Sequence, residues 1–396
     1  MRISGVRTFL VGNPWKNWLF VRVDTDEGVH GVGEGTLNRF SATVASAIAE
    51  LEDAYLGQDP AGIESLLQRM TRDVYSDGGQ IHGSAVAAIE VACWDILGKV
   101  TGRPVHELMG GRVRDRIRAY ANGWYRVERT PEAFAEAAQA VVGRGYTALK
   151  FDPFGAGWRM QEAPDEDLSL DIVAAVRDAV GPSVDILVEG HNRFSVSTAL
   201  RLADRLAAHR PAWFEEPVAH QNIGSMVEVA RRSPVPIATG ESFTSPQQFA
   251  ELLRHDAVHI LQPEPLFLGG LWRTRQVAAM VDAHYGVVAP HNSQGPVCAA
   301  ISAQLGACVP NFYLQEMFDE FNVAWTREIV DRPVLPVDGY VEVPRSPGLG
   351  IDLDWDRLVG HPYERANALH LFAPGWERRS EPLPVEPEVV VHVVEA

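Results

Sequence analysis

Seven ionisable residues stand at the ends of short apolar runs: Lys150, Glu189, Glu215, Glu241, Glu264, His291 and Glu316. From Glu189 onward the intervals between them are 26, 26, 23, 27 and 25 residues. A strand, a helix and their two loops take up roughly 25 residues, so each interval is one β/α unit. Side chains at equivalent points of successive units converge on one end of the sheet that the strands build. Glu189, Glu215 and Glu241, on adjacent strands, would repel one another strongly across a narrow mouth. Protonation is one remedy. A hard divalent cation held through oxygen is the better one, with Mg²⁺ the expected ion and Mn²⁺ its substitute. Zn²⁺ fits poorly, because the set contains no cysteine. The competing arrangement is an ion-pair network in which Lys150, the only basic side chain in the register, neutralises the acids.

A cation at that place has a job. The α-proton of a carboxylate is too weakly acidic for an unaided side chain to remove. Chelation of the substrate carboxylate stabilises the enediolate charge where it develops, and a nearby base takes the proton.

The elements that position these residues can be read along the chain. Residues 3–11, 18–24 and 28–36 form three β segments, with DTDEG at 24–28 as a hairpin turn. Helical patterns follow at 41–56, 61–72 and 84–101; in the last, Ser84 is placed to cap the N-terminus, and Ile89, Cys93, Ile96 and Val100 recur at helical spacing. Glu90 and Asp95 on that helix form either a solvated face or an interdomain contact. Strands followed by helices indicate an α+β unit over residues 1–113. From 114 to 325 the pattern changes to eight strand-length runs, IRAYANG, YTALKFD, VDILVEG, PAWFEEP, VPIATGE, AVHILQP, GVVAPHN and NFYLQEM, most of them followed by amphipathic helices. Eight such units match a (β/α) barrel. Residues 326–396 carry a return strand, DGYVEVP at 338–344, then PGLGIDLD and a Pro/Val-rich tail that suits an edge strand or a subunit contact.

Composition narrows the function. Among 396 residues, 46% are hydrophobic and 22% charged, an ordinary globular balance. The net charge of −17 argues against nucleic acid and obliges any carboxylate-binding site to supply its own positive charge. No uninterrupted apolar run reaches the ~18 residues of a membrane span, and the opening MRISGVRTFLVGN reads as a first strand rather than a signal peptide. Cys93, Cys298 and Cys308 are odd in number and widely spaced, which predicts a reduced, cytoplasmic protein.

The runs VEGH, WFEEPV, ATGES, ILQPEPLFLGG, APHNSQGPV and LQEM, in that order, resemble the motifs of the mandelate racemase subgroup of the enolase superfamily. NWLFVRVDTDEG with GVGEG is similar to galactonate dehydratases, and ANGWY, ALKFDPFG and PGLG to the gluconate branch. The resemblance implies an α/β fold: an enolase-type modified barrel with an N-terminal capping domain completed by the C-terminal segment. It implies Mg²⁺ on Glu189, Glu215 and Glu241, and His291 paired with Glu264 as the base that takes the α-proton. It gives His191 the task of assisting departure of the β-hydroxyl, and Glu316 a hydrogen bond to the substrate carboxylate. Lys150 would orient that carboxylate or Glu316. Trp18 and Lys16, on a capping loop, become candidate substrate contacts. Trp124 and Tyr125 either line the pocket or pack beneath a loop.

Two departures from the family pattern stand out. The sixth-strand acid is Glu264 where Asp is usual, and Asp152 replaces the second lysine that racemases and lactonising relatives carry after Lys150. Asp152 itself suits a turn or salt-bridge role as well as a substrate contact. The activity implied is dehydration of an aldonate to a 2-keto-3-deoxy acid. An epimerase or cycloisomerase working through the same enolate, and a catalytically silent homologue, are the alternatives. An even-numbered homo-oligomer such as an octamer is expected.

Overall fold

A computed structural model describes residues 1–75 and 77–378; the Pro/Val-rich tail lies outside the described residues. Three antiparallel strands open the chain: β1 (Ile3–Val11), β2 (Trp18–Thr25) and β3 (His30–Glu34). The β2–β3 turn is the DTDEG hairpin, with Gly28 supplying the positive φ of 81° that the tight reversal needs.

Against this sheet lies a helix of 23 residues, Gly79–Thr101. It starts before Ser84, with Gly78 as its cap residue, so Ser84 is a buried interior position and not the cap. The helix is long and apolar enough to cross a bilayer by composition, but 83% of its apolar window is buried inside the fold. Its acids are not solvated either. Glu90 accepts from the backbone N–H groups of Leu271 and Trp272, each at 2.9 Å, which satisfies free donors at the start of the barrel helix Leu271–Ala283. Asp95 accepts from Val32 N and Leu349 N and pairs with Lys99 at 2.7 Å. Of the two readings offered for Glu90 and Asp95, the solvated face is therefore excluded.

Eight parallel strands follow: β4 (Arg116–Ala121), β5 (Ala148–Phe151), β6 (Asp185–Glu189), β7 (Trp213–Glu215), β8 (Ile237–Thr239), β9 (Ile260–Leu261), β10 (Val287–Val288) and β11 (Gln315–Met317). Each lies beside its predecessor, β11 returns to pair with β4, and a parallel bridge between Val288 and Phe312 joins the remaining two edges. All eight strand-length runs are strands of one barrel. Side chains alternate along each strand. Tyr120, Ala148, Leu187, Trp213, Ala238, Ala289 and Leu314 form a separate buried cluster, the plug that fills a barrel of this size. Two residues further along four of those strands, on the same face, stand Lys150, Glu189, Glu215 and Glu316. Strand periodicity thus stacks the ionisable residues directly above an apolar floor.

The return strand, β12 (Tyr340–Glu342), pairs antiparallel with β4 of the barrel rather than with the capping sheet. The segment after it does dock on the capping layer. Leu349 N bonds Asp95, and Asp352 meets His30 at 3.1 Å and Lys99 at 3.3 Å. Further on, the carbonyls of Glu364 and Asn367 accept from Asn17 Nδ2, at 2.7 and 3.0 Å, on the β1–β2 loop.

Candidate active site

Glu189 and Glu215 are direct register partners at the ends of β6 and β7. Glu241 follows β8 after Gly240, whose φ of 126° carries the chain over the barrel rim. One carboxylate oxygen from each of the three lies within 4.8 Å of the others. The cage carries the marks of a cation site. Glu189 Oε2 is buried without a hydrogen-bond partner, its nearest cation being Lys150 Nζ at 3.4 Å. Burial and the neighbouring Glu189 charge push the Glu215 carboxyl up to about 8. Three hard oxygen donors that cannot all ionise unaided fit a divalent cation. Glu216, the second acid of FEEP, stands outside this group of three, its Oε1 accepting from Thr239 Oγ1 and from Gly240 N.

Lys150 bonds Glu215 Oε1 at 2.5 Å and Glu316 Oε1 at 3.0 Å. The lysine network weighed from the sequence therefore exists, and it serves two of the strand-end acids fully while leaving Glu241 without lysine. Glu316 is further held by Asn122 Nδ2 and by Asn292 N, both at 2.7 Å. Burial would raise its carboxyl, but the charges of Lys150 and His291 prevail and hold it at about 2.

His291, beyond β10, places Nδ1 2.7 Å from Glu264 Oε2, so the longer side chain reaches its histidine. The other Glu264 oxygen accepts from Leu266 N at 2.9 Å. His291 Nε2 lies 3.7 Å from Glu241 Oε2. Burial lowers the basicity of His291, but the Glu241 charge and the Glu264 bond outweigh it and raise the pKa to about 9.

His191 follows β6 and donates its backbone N–H to Glu189 Oε1 at 2.7 Å. Its Nδ1 lies 2.6 Å from Asp152 Oδ2. A second histidine–carboxylate dyad therefore flanks the cage. β6 is the third barrel strand and β10 the seventh, half-way round a ring of eight, so the two dyads rise from opposite sides of the mouth.

Lys16 comes from the capping loop with Nζ 3.1 Å from Ser293 Oγ, two residues past His291. Burial lowers its pKa to about 8, against the charges of Glu264, Glu34 and Glu241. Four of the expected substrate contacts are held by packing or by partners within the protein. Trp18 is 0% exposed in the capping core, its ring on Phe20 and Trp325. Trp124 is buried on Phe134 and Phe151 and gives its Nε1 to the Lys150 carbonyl; Tyr125 packs on Phe134 and Trp376. Asp152, 0% exposed, turns its carboxylate to His191, Arg193 and Phe154 N. Residues missed from the sequence are Asn122, Asn292 and Arg193. Asn122 ends the β4 run and the strand register alone could have marked it; the other two are loop residues with no spacing signal.

Comparisons with known proteins agree with this geometry. Residues 133–357 match the model described as enolase C-terminal domain-like, and residues 14–110 the N-terminal domain of mandelate racemase / muconate lactonizing enzyme. The chain is 37% identical to a D-gluconate dehydratase of Thermoproteus tenax, over 85% of this chain and 68% of that protein. It is 35% identical to a D-galactonate dehydratase of Ralstonia pickettii, over 89% of this chain and 92% of that protein. The crystal structure of a mandelate racemase/muconate lactonizing enzyme from Jannaschia sp. CCS1 superposes with a TM-score of 0.86 at 34% identity, covering 92% of this chain and 98% of that one.

Proposed function

Because the chain belongs to the enolase superfamily, in its mandelate racemase / muconate lactonizing subgroup, we propose that it dehydrates an aldonate to a 2-keto-3-deoxy acid, with Mg²⁺ held by Glu189, Glu215 and Glu241. The observation that carries this reading is the pair of histidine–carboxylate dyads on opposite sides of the three-glutamate cage. When bound, the cation supplies electrostatic stabilisation of negative charge on the substrate carboxylate.

The chain's own residues do the proton work. In its neutral form His291 takes the C2 proton on Nε2, while Glu264 holds the remaining ring proton on Nδ1. Glu316, fixed by Lys150, Asn122 and Asn292, sits beside that centre to bond the substrate carboxylate. Across the mouth, His191 protonates the C3 hydroxyl as it leaves. A base and an acid on opposite sides suit removal of hydrogen and hydroxyl from opposite faces. Lys16 contributes a buried positive charge from the capping loop, which an anionic, hydroxyl-rich substrate would satisfy.

The test is a stereochemically complete set of five- and six-carbon aldonates and aldarates, assayed with Mg²⁺ for α-keto acid. Conversion of one or a few is expected. Deuterium uptake at C2 with inversion and without loss of water would assign the chain to epimerisation instead.

A further inference from the structure

His191 is anchored from behind by two charged residues that are each 0% exposed, Asp152 and Arg193. Asp152 Oδ2 meets His191 Nδ1 at 2.6 Å and also accepts from the Arg193 guanidinium. Asp152 Oδ1 accepts from Phe154 N at 2.8 Å. Arg193 in turn donates to the carbonyls of Gly190 and Gly155 at 3.0 and 2.7 Å. The Trp376 ring stands nearly perpendicular to the imidazole, centroids 6.0 Å apart, and its Nε1 donates to the same Gly155 carbonyl. The backbone of His191 and Asn192 is left-handed, with φ of 47° and 60°. Such a conformation persists in side-chain-bearing residues only where the surroundings hold it.

From this arrangement we infer that Asp152 and Arg193 are positioning residues for the hydroxyl-loss step, resting on the role proposed above for His191. A carboxylate that accepts from Nδ1 keeps the proton there, so the other ring nitrogen, Nε2, is the one left for the substrate. Arg193 locks the carboxylate in place and fixes its charge. The dyad across the mouth is built differently. Besides His291, Glu264 is bonded only by neutral donors among the described residues: Leu266 N, Gln294 Nε2 and Cys298 Sγ. The arginine lock therefore belongs to the His191 side alone, where a histidine on a strained loop must meet one hydroxyl.

Asp152→Asn breaks the lock by chemistry rather than size. With its oxygen toward Arg193 and His191, the amide NH₂ confronts Phe154 N–H; turned over, it confronts Arg193 and His191. Dehydration should fall by roughly 10²-fold, the scale of lost orienting partners. Deuterium uptake at C2 of unreacted substrate in D₂O, and Mn²⁺ affinity by titration, should stay at the wild-type level. The ratio of exchange to dehydration therefore rises and approaches that of His191→Asn. Arg193→Lys, which keeps the charge and loses the planar fork, should lie between wild type and Asp152→Asn, and it carries the test if the latter does not fold. A merely structural role lowers exchange and dehydration together with the folded fraction. An unchanged ratio in a folded variant overturns the inference. Failure of the underlying function shows differently, as a wild-type protein that neither exchanges nor dehydrates any aldonate.

Discussion

Replacing Glu215 by Gln removes one charge from the cage and almost no volume. Glu215 is fully buried, bonded to Lys150 and, through Oε2, to Trp213 Nε1 at 2.8 Å. In the metal-free protein the Glu215 carboxyl, pushed up to about 8, is largely protonated near neutral pH, so the neutral amide changes little there, and Lys150 keeps Glu316. The metal-free melting point should move by about 2 °C or less. Mg²⁺ is where the variant must differ. A ligand at a hundred times its Kd stabilises the fold by about 2.7 kcal/mol. At about 2.1 cal/mol/K per residue, a chain of 396 residues unfolds with an entropy near 0.8 kcal/mol/K, so the wild-type shift is about 3 °C. If losing one of three charged ligands weakens binding by about 100-fold, the same Mg²⁺ concentration stabilises the variant by only about 0.4 kcal/mol, or about 0.5 °C. Thermal melts with Mg²⁺ and with chelator, beside Mn²⁺ titration, measure both quantities. An equal Mg²⁺ shift in wild type and variant, or full wild-type activity in chelator, would refute the metal assignment.

Three further outcomes are expected. His291→Asn should lose both C2 exchange and dehydration, whereas His191→Asn should lose about 10²–10⁴-fold in dehydration and keep exchange with retention of configuration, read by proton NMR; loss of exchange in His191→Asn would make that residue the base. Asp352, against the tendency of burial, is held at about 2 by His30 and Lys99. Its contribution is therefore full above the unfolded value near 4 and is lost as pH falls from about 4 to 2; with partial exposure discounted it is worth about 1–2 kcal/mol, so urea unfolding of wild type and Asp352→Asn should differ at pH 6 and converge toward pH 2. Light scattering should find an even-numbered homo-oligomer at working concentration, and a monomer would contradict that expectation.

The barrel was legible because two periodicities coincide in it. Alternation within strands puts Leu187 and Glu189, or Trp213 and Glu215, on one face, and the repeat of the β/α unit brings those faces together. Both are visible as spacing, so the carboxylate cage and the strand ends that carry Glu264 and His291 could be located before any geometry; only the family resemblance joined the last two as a pair. Contacts made across large sequence separation were not legible. The partner of Glu90 is a helix 181 residues later, and no local pattern records it. Ser84 misled because a serine before an apolar run has the form of a cap, while the helix actually begins at glycines that carry no such mark. Trp18, Trp124 and Tyr125 are ambiguous by nature, since an aromatic side chain serves a pocket wall and a packed core equally well. Asp152 needed its partner Arg193, 41 residues away, before its carboxylate could be assigned.

The docking of residue 349 onto Asp95 bears on how the chain is made. Asp95 belongs to the capping layer, yet one of its hydrogen-bond donors is Leu349 N, 254 residues downstream. During synthesis Val32 and Lys99 can hold one oxygen of that carboxylate, but the other, Oδ1, must wait for Leu349 while the whole barrel emerges from the ribosome. A contact of such long range is formed late and slows folding. The capping loop that carries Lys16 is likewise tied down by Asn17 to residues 364 and 367. A nascent chain that owns a closed barrel therefore still lacks the contacts that tie down the loop carrying Lys16.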